Sequence, residues 1–166
     1  MGKEDSYISS IRINYQYLEQ HVKECLDEGL GGIATPEVQT DIRNILNAIV
    51  SYYDCCLSGL AEYNPEPDWL LACKFANNRL KHDSRVAVAG NKQGGFTFPM
   101  SFPFVSLVPD VYWQSFQDLE ETRNKYKASF YSQKDAYQHT FAFQSVLETL
   151  KAVLVELGIS LDESEA

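Results

Sequence analysis

From Val38 to Cys56 the apolar residues recur at steps of three and four: Val38, Ile42, Ile45, Ile49, Tyr52 and Cys56. That spacing draws one stripe along an α-helix and fits no strand, whose period is two. Leu46, Tyr53, Leu57 and Leu60 widen the stripe, so this helix has to bury a broad face. A second stripe precedes it, made of Ile8, Ile11, Tyr15, Leu18, Val22 and Leu26. Gly29, Gly31 and Gly32 end that first helix. Thr35 then reads as an N-cap, Pro36 as the first helical residue and Glu37 as a carboxylate suited to the positive helix end. The second helix is expected to stop before Asn64-Pro65, because the residue before a proline disfavours helix.

After Pro65 and Pro67, a third helix carries Trp69, Cys73, Ala76 and Leu80 on one face. The period changes at Lys81-His82-Asp83. Arg85 to Ala89 and Phe96 to Phe98 predict two short strands, with Gly90, Asn91, Gly94 and Gly95 in the turn. Pro99, Pro103 and Pro109 predict an irregular, aromatic-rich excursion from Met100 to Asp110. Helix is expected again from about Tyr112, with Leu119, Arg123, Tyr126 and Phe130 on a face. A break is expected at Ser132-x-x-Asp135, which resembles a capping box. Ala136, Phe143, Leu147, Leu150, Leu154 and Leu157 then run in register to a stop at Gly158. The reading is one mainly α domain over 1–166: an antiparallel four- to five-helix bundle with an inserted β-hairpin at about 85–110 and an acidic tail at 160–166. At 166 residues and 45% apolar content, a core closes without disulfides or a metal. Ten Tyr and nine Phe predict that much of it is aromatic, with tyrosine hydroxyls reaching water at its edge.

Composition narrows the function. Fourteen Lys and Arg stand against 23 Asp and Glu, a net charge of −9. Broad non-specific nucleic-acid binding needs a basic face to neutralise phosphates, so only a local basic site fits. Of Cys25, Cys55, Cys56 and Cys73, none forms a Cys-x-x-Cys pair, and three fall within helical apolar patterns, as reduced buried thiols do. With no secretory leader and no membrane span, a cytoplasmic location is the expectation. His21 and Cys25 are four apart, but no further ligands complete a metal set. His139, beside Tyr137 and Phe141, reads as structural. Gly94-Gly95 lacks the spacing of a phosphate-wrapping loop, and no Gly-x-Ser-x-Gly turn is present. Neither a cofactor nor a metal is expected.

What remains is Lys74-Phe75-Ala76-Asn77-Asn78-Arg79-Leu80-Lys81-His82-Asp83, a polar and basic cluster at a helix end in an acidic chain. His82 can exchange protons near neutral pH, and Arg79 or Lys81 can steady a phosphate. Helical spacing allows Asn78, Arg79 and His82 to share a face, with Lys74 extending it by a turn. The bland alternative is that the basic residues serve the negative helix end and the asparagines bond nearby loops.

Around Asn77-Asn78-x-x-x-His82 the sequence resembles the HEPN superfamily, helix bundles of about this length that carry Arg, a polar residue and, four to six residues on, His. Asn78 matches the polar position and His82 the histidine. Gly94-Gly95-Phe96-Thr97-Phe98-Pro99 resembles the covering flap of bacterial proteins of this kind. The arginine expected five before His82 is Asn77, while Arg43-Asn44 and Arg123-Asn124 imitate only the motif's opening. The resemblance implies a nucleotide- or RNA-binding protein, of toxin or phage-defence type if it cleaves RNA without metal. His82 and Asn78 would then be catalytic, and Asn77, Arg79, Lys74 and Lys81 would bind substrate. It also implies a homodimer with two motifs facing one cleft. The alternative is a non-catalytic interaction module whose aromatic Phe96 to Phe104 stretch contacts another protein or a second copy.

Overall fold

The computed structural model describes residues 2–29, 32–81, 85–93, 107–115 and 128–161. They form a mainly helical chain with one small antiparallel sheet. The order is α1 (Lys3–Asp27), β1 (Gly32–Ile33), α2 (Pro36–Tyr52), α3 (Asp68–Lys81), β2 (Ala87–Gln93), β3 (Leu107–Trp113), α4 (Ala128–Thr140) and α5 (Val146–Glu156). No helix among the described residues is long and apolar enough to cross a membrane.

The helix starts follow local chemistry. At α1, the Asp5 carboxylate reaches back to the Gly2 amide at 2.7 Å. At α2, Pro36 occupies the first turn and Thr35 Oγ1 accepts from the Val38 amide, as the sequence predicts. Past Tyr52 the helix widens into one π-type turn, Tyr53–Leu57, which buries Tyr53. Gly158 has φ +68 after α5, the left-handed stop that glycine takes without a Cβ penalty.

The sheet departs from the expected hairpin. Strand β2 pairs with β3, from Ala87↔Trp113 to Gln93↔Leu107. The stretch read as irregular, and the point where helix was to return at Tyr112, are therefore strand in residues 107–113. Gly90 and Asn91, assigned to the turn, lie inside β2, opposite Asp110 and Pro109. Pro109 is tolerated because, among the described residues, β3 is an edge of the β1-β2-β3 sheet, where a missing N–H breaks no ladder. The Phe96–Phe98 strand, the Phe96–Phe104 surface and the 94–99 flap lie outside the described residues. A third strand comes from the α1–α2 connection, Gly32↔Ala89 and Ile33↔Val88. Beyond it the Gln39 side chain of α2 takes over as a strand's backbone would. Its Nε2 donates to Ala87 O at 2.7 Å and its Oε1 accepts from the Val86 amide at 3.2 Å.

Two helix boundaries also differ. Helix α4 runs through Ser132 without a break. The interruption falls later, at Phe141–Ser145, where Phe143 adopts φ +64 and Ser145 Oγ accepts from the Glu148 amide to start α5.

The core is aromatic, as composition predicts. Trp113 stacks on Phe141 at 4.8 Å and meets Tyr137 edge-on at 6.3 Å, and Tyr137 lies 4.9 Å from Phe75 of α3. The polar tips find partners inside the fold: Trp113 Nε1 donates to Thr149 Oγ1, Tyr137 OH to Gln114 O and Tyr15 OH to Leu147 O. Burial pushes the Tyr15 phenol up to about 12. Ile45, Ile49, Leu150 and Leu154 are fully buried in one core, with Leu147 partly buried against it.

Candidate functional site

The last turns of α3 carry the residues singled out by sequence, and they point in different directions. Lys74 is held: its Nζ donates to Glu66 Oε1 at 2.5 Å, lies 3.9 Å from Asp54 Oδ1 and sits 5.0 Å over the Tyr53 ring. Its ammonium ties the middle of α3 to the π-type turn and to Glu66 just ahead of the helix. Asn78 and Lys81 are exposed. Asn77 and Arg79 are buried, at 5% and 3% exposure. Asn77 Oδ1 and Arg79 Nε and Nη2 have no hydrogen-bond partner among the described residues. The shared strip expected of Lys74, Asn78 and Arg79 is thus split between surface and interior. His82 lies outside the described residues.

Beside the end of α3 is a cleft of about 560 Å³ whose lining includes Thr35, Gln39, Thr40 and Arg43 of the α2 start, Leu80 and Arg85. Arg43 Nη2 donates to Leu80 O at 2.9 Å, satisfying a carbonyl that the helix end leaves open. The Gln39 bonds to Val86 and Ala87 fix the opposite wall. Arg43 and Arg85 are both exposed. Neither arginine forms an ion pair with a carboxylate among the described residues. Ile33, Ala34 and Leu80 add apolar wall. The site is not legible in the sequence because its two cations come from different elements. In the sequence Arg43 belongs to a motif fragment and Arg85 to a predicted strand.

A second cavity, of about 470 Å³, lies on the other side of Thr35 and Pro36 and is lined also by His21, Glu24, Cys25, Glu28 and Glu37. His21 Nδ1 meets Asp41 Oδ2 at 2.5 Å, joining α1 to α2. This bond holds the imidazole above its ordinary value, against a lowering by burial; Asp41, Glu24 and Glu37 add the same sign. The partner of His21 is therefore Asp41, from the neighbouring helix. Among the described residues no group of His, Cys, Asp or Glu could hold a metal ion. His139 is exposed and donates through Nδ1 to Asp135 O, one turn back on α4.

No family model matches the chain, and neither a curated protein nor a solved structure does.

Proposed function

We propose that the protein is a HEPN-like antiparallel bundle that binds a phosphate-bearing ligand, a nucleotide or RNA, in the cleft at the end of α3. One observation carries this reading: two guanidinium side chains, Arg43 and Arg85, line a single cleft without a carboxylate partner among the described residues, in a chain of net charge −9. Unpaired guanidinium groups suit phosphate because they stay charged and offer several donors at once. Thr35 and Thr40 add hydroxyls, and the Ile33–Leu80 wall suits the face of a base. Arg43 also answers the gap in the motif. The arginine absent at position 77 is replaced by one reaching across from α2, bound to Leu80 O two residues before His82.

In a cleaving enzyme of this type, the ribose 2′-oxygen attacks the adjacent phosphorus and the P–O5′ bond breaks. His82 moves the proton and Arg43 balances the growing charge. Asn78 and Lys81 are exposed on the same final turns but are not among the residues that line the cleft. A homodimer with two such clefts facing each other belongs to the same reading. A second reading, a non-catalytic module, draws on the engagement of Lys74 with Glu66 and the burial of Asn77 and Arg79.

Arg43→Met with Arg85→Met should abolish binding of a nucleoside monophosphate and of a short single-stranded RNA, and wild-type affinity should fall with added salt. His82→Ala should stop RNA cleavage while binding persists. Wild-type binding with no cleavage would select the binding module. No binding of either ligand at millimolar concentration would remove the reading altogether.

A further inference from the structure

Arg79 sits in the last turn of α3 with 3% of its surface exposed, and both donors on one edge of its guanidinium, Nε and Nη2, lack an acceptor among the described residues. An arginine cannot escape this by losing its proton, and a buried, unmatched charge is strongly unfavourable. The negative end of α3 lowers that penalty but supplies no acceptor to this edge. Nε and Nη2 are the pair whose N–H groups run parallel, the geometry that grips two oxygens of one carboxylate or phosphate. Four residues earlier on the same flank, Phe75 packs 4.9 Å from Tyr137 of α4, so this flank faces α4. Asn77, two residues from Arg79, falls on the other side of the helix. Arg79 does not line the cleft that contains Arg43 and Arg85.

We propose that Arg79 is the receptor of a second, internal site between α3 and α4 that takes a two-oxygen anionic group, a phosphate or a carboxylate. The anion completes the guanidinium and fixes the end of α3 against α4. Because α3 also ends at the Arg43 cleft through Leu80 O, an anion held by Arg79 sets the position of that wall from behind. The site needs no ligand in the cleft, so the two stand or fall separately.

The test is thermal melting with inorganic phosphate or acetate, against potassium chloride at matched ionic strength. Wild-type protein and the Arg43→Met/Arg85→Met double variant should both melt higher in at least one of the two anions. The rise should reach about 5 °C or more at roughly a hundredfold excess over the dissociation constant. A response to phosphate alone identifies a phosphate group as the occupant, and a response to acetate alone a carboxylate. Arg79→Met should erase the rise and, without either anion, melt no lower than wild type. Arg79→Lys keeps the charge without the paired donors and should need about tenfold more anion. Survival of the rise in Arg79→Met, with its loss in the double variant, would overturn the internal site and leave the cleft intact. Failure of both anions to stabilise the wild type would overturn it as well. If Arg79→Met does not fold, an unchanged anion requirement in Arg79→Lys has the same force.

Discussion

At the scale of single residues, the His21–Asp41 bond makes the clearest pH prediction. Its folded-state imidazole lies above the ordinary value chiefly through the bond to Asp41, so the folded state binds a proton more tightly than the unfolded chain. The bond's contribution is then complete below the ordinary imidazole value and is lost as pH rises through the folded-state value. The urea midpoint should fall across that window, and Asp41→Asn or His21→Gln should flatten the slope. An imidazole titration by NMR that leaves His21 at or below its ordinary value would refute this. A second prediction concerns Thr149, which accepts from the indole N–H of the fully buried Trp113 at 2.6 Å. Thr149→Val keeps the shape and strands that donor, and should lower stability by about 1–3 kcal/mol in denaturant unfolding. Neither contact was legible in sequence. His21 and Asp41 are twenty positions apart and Trp113 and Thr149 thirty-six, and no local pattern pairs them.

Among the elements, legibility followed periodicity. The stripes of α1 and α2 predicted both helices because a wide buried face imposes steps of three and four. Leu150, in the middle of α5 and fully buried, carries that logic into energy: Leu150→Ala should cost about 2–5 kcal/mol. A loss of under half a kcal/mol (about a tenth of the upper figure) would mean the stripe is not packed. The α4–α5 break carries Ser145-x-x-Glu148, a stronger capping signature than Ser132-x-x-Asp135. Unbroken apolar spacing across Phe143 hides the break, and a phenylalanine at φ +64 gives no warning of the kind a glycine would. Strand β3 is not legible in the sequence because Pro109 argues against a strand unless the strand is an edge, which only the assembled sheet decides. In the candidate site, the cluster at the end of α3 was visible as a run of polar residues. The cleft beside it was not, since Arg43 and Arg85 become neighbours only after α2 docks on β2.

Across the whole molecule, contacts distant in sequence bind the first helix to the last segment. Arg12 Nε donates to Ser160 O at 2.7 Å, and Ile159 is buried at 4% exposure. Removing the chain from Ile159 onward takes away both, and should lower unfolding stability by roughly 2–3 kcal/mol through the lost apolar burial. Chemical denaturation of the truncated protein would check this. The Gln39 side chain has a consequence of another kind. The Val86 amide precedes strand β2, yet it is bonded to an α2 side chain. Its exchange with heavy water therefore reports the docking of α2 on the sheet, rather than the opening of the sheet itself. In Gln39→Ala that single amide should exchange quickly while the β2–β3 amides stay slow, giving a local clock for one wall of the arginine cleft.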